Sequence, residues 1–245
     1  MNVKIIVLGF ANARSLAASL ERLEKTLAVT KSKITKKLLV GLGYPLPSKE
    51  KNREDLSELA AKHGFEFEMA SGNNGQSGNI ELYNKLLADS DDDMLIYYDA
   101  DHDIEPLGWI DAVVDVARDE MIGMVTVNCT CEYGDRMQDP DVKLVNGHRV
   151  KQVTWYGNLP IYCIRGDVAR RGIVHAPHKY YGHTEADVMY ACGHIQKVGV
   201  MLLDFDDKRS FHGIDMDYQL WKHTHIQDRN QPSFEEFLRS KGMIP

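Results

Sequence analysis

Met94-Leu95-Ile96-Tyr97-Tyr98-Asp99-Ala100-Asp101-His102-Asp103 is the stretch on which the reading of this chain turns. Five apolar or aromatic residues run directly into an acidic cluster. A short, uninterrupted apolar run fits a strand buried on both faces, as in a parallel sheet. In open α/β sheets, ligands bind beyond the carboxyl ends of the strands. The cluster Asp99, Asp101, His102 and Asp103 therefore falls where a ligand is expected. Closely spaced carboxylates suit a hard divalent cation such as Mg²⁺ or Mn²⁺, which commonly bridges a carboxylate and a substrate phosphate. The competing reading is a solvated acidic turn.

Working outward, residues 3–8 (VKIIVL) predict a first buried strand, and Asn12 can cap a helix over 13–29 whose Leu16, Leu20, Leu23 and Leu27 share one face. A second strand is expected at 37–42, a polar helix at 51–63, and an edge strand at 65–70 from the alternation Phe-Glu-Phe-Glu-Met. The lysines of 31–37 read as a solvated helix end and loop. A glycine- and asparagine-rich turn, 71–79, and a helix, 79–88, lead to the strand at 94–98. Alternation of strand and helix through the first hundred residues implies a parallel α/β sheet.

Beyond it, Pro106 opens a predicted helix over 107–120 with Trp109, Ile110, Val113 and Val116 on its apolar face. A strand at 123–128 follows. Asn146-Gly147 between 143–145 and 148–153 is a hairpin signal with a type I′ turn. Further strands are expected at 157–164 and 200–205, a helical turn at 167–171, and a helix at 184–197 that Gly199 ends. The histidine-rich segment 173–183 reads as a mobile loop that could gate an acceptor site. No linker divides the chain. The expected organisation is a single domain, 1–245: a nucleotide-binding half, 1–103, an α+β acceptor-side half of the same sheet, 104–213, and a tail, 214–245.

Composition narrows the function. A net charge of −7 disfavours general nucleic-acid affinity. No apolar run reaches the roughly 20 residues of a membrane span, and no signal-peptide pattern opens the chain. The four cysteines, Cys129, Cys131, Cys163 and Cys192, lack disulfide-framework or zinc spacing and read as reduced, which implies a cytoplasmic protein.

Two further constellations could carry chemistry. Thr184-Glu185-Ala186-Asp187 begins a predicted helix; it is either a capping arrangement or a carboxylate placed to act as general base. His212, after the last predicted strand, is either structural or a further ligand for a metal short of ligands. In the glycine-rich turn, Asn73, Asn74 and Asn79 could supply amide hydrogen bonds to a nucleotide, or the segment is a plain loop.

In their order, these parts resemble the family-2-like glycosyltransferases of the GT-A fold, over roughly residues 3–213. The matching features are Phe10-Ala11-Asn12-Ala13-Arg14 after the first strand, the turn 74–79 leading to Asn84, IYYDAD with its D-x-D, Pro106 and Trp109, the acidic pair Glu185 and Asp187, and His212. The resemblance implies a Rossmann-like mixed α/β sheet flanked by helices and an inverting transfer of a hexose or pentose from a nucleotide-sugar, expected to be a UDP-sugar. It implies Asp99, Asp101 and His212 at Mn²⁺ or Mg²⁺. Phe10, Asn12, Arg14, Asn74, Gly75, Asn79, Asn84, Asp99 and Ala100 would lie around the donor, with Asp187, or Glu185, as the base. Two departures stand out: no acidic residue follows the second strand (VGLGYP), and the acidic motif reads E-A-D rather than E-D. The acceptor, a hydroxyl on a glycan, protein, small molecule or modified nucleic-acid base, stays open. The alternatives are a D-x-D phosphatase-like hydrolase, which usually carries that motif after its first strand, a sugar-nucleotide pyrophosphorylase, and a non-catalytic nucleotide-binding module of the same fold.

Overall fold

In the computed structural model, residues 1–9, 13–41, 49–69, 91–99, 102–128, 141–153, 161–170 and 196–207 are described. The apolar run at the start forms strand β1 (Asn2–Gly9), buried from Val3 onward. Its continuous burial, rather than alternation, marks a strand covered on both faces. Helix α1 (Ala13–Val29) follows and turns Leu16, Leu20 and Leu23 into the core, with Leu27 partly buried beside them. Strand β2 (Lys33–Gly41), helix α2 (Lys49–Lys62) and strand β3 (Glu66–Met69) continue the alternation, and strand β4 (Met94–Asp99) carries the apolar run of the opening motif. β1 pairs in parallel with both β2 and β4, and β2 pairs in parallel with β3.

The second half completes the same sheet. It contributes β5 (Ile104–Glu105), helix α3 (Trp109–Ala117), β6 (Ile122–Asn128), β7 (Lys143–Val145), β8 (His148–Gln152), β9 (Ile161–Arg165), the short helix α4 (Gly166–Ala169) and β10 (Val198–Asp207). The strand order is β3-β2-β1-β4-β9-β6-β10-β8-β7, with β5 paired to β10 off this path. β9 runs antiparallel between β4 and β6. The β7–β8 hairpin turns through Asn146 (φ 49°) and Gly147 (φ 88°), the positive pair that a type I′ turn demands.

Several boundaries differ from the sequence reading. The lysine-rich 31–37 segment is largely strand: β2 begins at Lys33, opposite Asn2 of β1. Its lysines are tolerated because they reach outward: Lys36 pairs with Glu66 at 2.7 Å, and Lys37 Nζ donates to the His63 carbonyl at 3.1 Å. Pro106 does not open α3. Gly108, at φ 95°, stands at the N-cap, and the helix starts at Trp109. The helix stops at Ala117 rather than Glu120, where Arg165 Nη1 donates to the Ala117 carbonyl at 2.9 Å and satisfies a terminal acceptor. Nor does Gly199 end a helix. Gln196 takes the left-handed conformation (φ 56°), and Val198 and Gly199 already belong to β10, where Gly199 accepts a hydrogen bond from the Val153 N–H at 2.9 Å. Among the described residues, no helix is long and apolar enough to cross a membrane.

Candidate active site

The chain lays β2 and then β3 on one side of β1 and afterwards returns to place β4 on the other. At such a reversal the connections leave neighbouring strands in opposite directions and open a crevice at their carboxyl ends. Here those ends are Gly9 and Asp99, with Leu8 directly opposite Asp99. A side chain on Gly9 would place its Cβ 3.1 Å from both Leu16 and Leu39, so glycine lets α1 pack tightly against this end of the sheet. Asp99, the last residue of β4, is half-buried at this reversal of strand order.

The opening motif divides at this point. His102 and Asp103 return to the interior instead of joining Asp99 at a common ligand. The His102 N–H donates to the Asp99 carbonyl at 3.3 Å. His102 and Asp207, only 2% and 1% exposed, meet through Nδ1 and Oδ2 at 2.5 Å. The other Asp207 oxygen accepts the Asp103 N–H at 3.3 Å. Asp103 also forms an ion pair with Arg22 of α1. Tyr98 Oη donates to the His102 carbonyl at 2.6 Å, and Ser19 Oγ lies 3.4 Å from that same phenol. The Tyr98 ring stacks on Trp109 with centroids 6.0 Å apart. A buried polar network thus fastens the residues after the motif to α1 and to the end of β10. Beside it lies an open cleft of about 650 Å³ whose walls carry both signs of charge, Arg22 and Lys25 facing Asp103, Glu105 and Asp206. Asp99 is not among the described residues that line this cleft.

Of the residues expected at the site, Asp99 is the one whose side chain is described. Arg14 lies in the first turn of α1 by its backbone. Phe10, Asn12, Asn74, Gly75, Asn79, Asn84, Ala100, Asp101, Glu185, Asp187 and His212 lie outside the described residues. Among the described residues, no group of three metal-ligating side chains comes together. Sequence reasoning missed Asp207 and Arg22. Asp207 stood in a stretch, DDKRS, that reads as a turn, and its role depends on a pairing between residues more than a hundred positions apart.

Elsewhere carboxylates are held by basic partners. Burial pushes the Asp204 pKa up, but the Arg149 side-chain and backbone donors and the nearby His148 outweigh it and leave it below the usual range. Asp167 behaves likewise, burial being outweighed by Arg165 and Lys197. Burial raises the Cys163 thiol to about 12 against a smaller opposing pull from Arg165.

Strand order 3-2-1-4, an antiparallel strand beyond β4 and a mixed second half together define a Rossmann-like sheet of the GT-A type. Among solved structures, it is similar to the mannosyltransferase PcManGT from Pyrobaculum calidifontis in complex with GDP-Man and Mn²⁺ (TM-score 0.61, 13% identity, 98% of this chain and 68% of that one). It is similar as well to mannosyl-3-phosphoglycerate synthase from Rubrobacter xylanophilus (TM-score 0.56, 14% identity, 100% and 76%). A third is S. aureus TarS 1-349 in complex with UDP-GlcNAc (TM-score 0.55, 14% identity), where the likeness covers 84% of this chain and 58% of that one. No family profile and no curated protein matches the sequence.

Proposed function

We propose that the protein is a glycosyltransferase that moves a sugar from a nucleotide-sugar donor to a hydroxyl acceptor. The observation that carries this reading is the position of Asp99. It begins the D-x-D on the last residue of β4, beside the end of β1, at the crevice where the strand order reverses. A phosphatase-like use of D-x-D is disfavoured by the same fact, because the motif follows the fourth strand. Proteins of this fold in complex with GDP-Man and Mn²⁺ or with UDP-GlcNAc support the donor class.

The donor set suits Mn²⁺ or Mg²⁺: a half-buried carboxylate at the strand end, a second carboxylate two residues on, and an imidazole at His212. Asp99, Asp101 and His212 are the proposed ligands, as the resemblance implies, while His102 and Asp103 bond to Asp207 and Arg22. Four residues separate Asp207 from His212, and the five chain steps span at most about 18 Å, which keeps His212 within reach of this end of the sheet. The bound cation would supply neutralisation of charge on a diphosphate leaving group.

Asp187, or Glu185 in its place, would accept the proton of the acceptor hydroxyl as that oxygen attacks the anomeric carbon. One displacement inverts the anomeric configuration. Phe10, Asn12, Arg14, Asn74, Gly75, Asn79, Asn84 and Ala100 complete the proposed donor pocket, with a UDP-sugar as the first donor to try. The whole chain is proposed to act as one unit in the cytoplasm; Cys163, a buried free thiol, is in keeping with reduced cysteines. The test is release of nucleoside diphosphate from a panel of nucleotide-sugars and hydroxyl acceptors, with Mn²⁺ and with EDTA. Metal-dependent release that Asp101→Asn abolishes supports the reading; full activity of that variant sinks it.

A further inference from the structure

Three consecutive backbone attachments surround the two residues between Asp99 and His102. The Asp99 carbonyl accepts from the His102 N–H, the His102 carbonyl accepts from Tyr98 Oη, and the Asp103 N–H donates to Asp207 Oδ1. The imidazole of His102 meets the other oxygen of Asp207. Asp207 is also the last residue of β10, so one carboxylate grips the chain leaving the motif and ends the strand from which the His212 segment departs. Burying four polar groups here is costly unless every one is bonded. An apolar contact could have joined β4 to β10 without that requirement, but it would not have fixed backbone direction.

We propose that Asp207 and His102 form a positioning pair for the donor site: they set where the carboxylates of Asp99 and Asp101 stand relative to the segment that follows β10. The inference rests on the glycosyltransferase reading above. The pair touches neither donor nor acceptor in this account. It acts through the backbone on either side of the D-x-D, as outer-shell partners orient metal ligands elsewhere.

The experiment measures nucleoside diphosphate affinity by calorimetry, with Mn²⁺ and with EDTA, on the full chain well below each variant's melting temperature. UDP and GDP are the probes, and the one the parent binds is carried forward. Asp207→Ala should weaken Mn²⁺-dependent binding by about 10- to 100-fold, the range seen when outer-shell partners of metal ligands are removed. Asp207→Asn should restore most of it, because its Oδ1 still accepts the Asp103 N–H and its amide donates to the imidazole tautomer whose Nδ1 accepts. Tyr98→Phe keeps the ring against Trp109 and removes the hydroxyl, with its bond to the His102 carbonyl and its contact with Ser19; it covers the case in which Asp207→Ala does not fold, and it should weaken binding less. A purely structural pair would lower the melting temperature and leave affinity unmoved. Parent-like affinity in folded Asp207→Ala, or in Tyr98→Phe where the first variant does not fold, overturns the proposal while the glycosyltransferase reading stands. A parent that binds neither probe in a metal-dependent way removes that reading and the positioning role with it.

Discussion

Strand β4 is tied down at both ends by aspartates, and the two ties differ in kind. At its amino end, Asp92 sits 3.5 Å from Lys4 Nζ and 2.5 Å from Thr35 Oγ1, while Asp93 accepts the Asn2 N–H at 2.7 Å. These groups lie at the rim of the sheet and include exposed bonds. At its carboxyl end, His102 and Asp207 are almost wholly enclosed. The first tie holds strands in register where water reaches part of the contact, although Lys4 itself is buried. The second holds a backbone next to the proposed donor site where water cannot reach. The more deeply buried tie thus lies at the end beside the proposed donor site.

This contrast predicts unequal consequences. Asp207→Ala leaves a buried imidazole and a buried N–H without their acceptor and should cost about 3–5 kcal/mol in urea unfolding. Asp92→Ala should cost less, about 1–3 kcal/mol, because it removes the Thr35 hydrogen bond and the partner of a buried Lys4 at a partly exposed edge. Equal losses at the two ends would break the distinction. Tyr98→Phe falls between them in burial but removes one neutral donor, so about 1 kcal/mol is expected; a loss like that of Asp207→Ala would show the network to be cooperative rather than centred on the carboxylate.

Titration sharpens the same comparison on the far side of the sheet. Asp204, on β10 and bonded to Arg149 of the hairpin strand β8, has a folded pKa below its unfolded value because Arg149 outweighs burial. Its stabilising contribution is therefore fully present above the unfolded carboxylate pKa of about 3.9 and is lost as pH falls through the lower folded value. Asp204→Asn should flatten the acid limb of the stability profile; an unchanged limb would contradict the assignment. The smallest effect concerns Cys163. With its thiol raised to about 12 by burial, peptide mapping should find it unlabelled by thiol reagents at neutral pH until the protein unfolds. Rapid labelling of the native state would place it outside the core.

Much of the first half was legible because burial writes directly onto sequence there. β1 and β4 are apolar without interruption, and the leucines of α1 recur on one face. Asn146-Gly147 announced its turn just as clearly. The start of β2 was hidden because lysines occupy it, and lysine says nothing about backbone when its stem can reach solvent. The two-residue β5 is too short to carry any periodicity. At the site, the acidic cluster was visible but its division was not. Nothing local to D-A-D-H-D distinguishes Asp99, which stays at the crevice, from His102 and Asp103, which turn inward. That distinction is made by Asp207 and Arg22, which only the assembled sheet brings to them.

The most direct test of the central claim is the melting temperature of the parent protein with UDP or GDP, measured with Mn²⁺ and again with EDTA. A ligand that binds only the native state raises the melting temperature by mass action. A rise with at least one nucleoside diphosphate in Mn²⁺, abolished by EDTA, is the expected result. No rise with either nucleotide, or one that EDTA leaves intact, would contradict a metal-assisted nucleotide-sugar site at the end of β4.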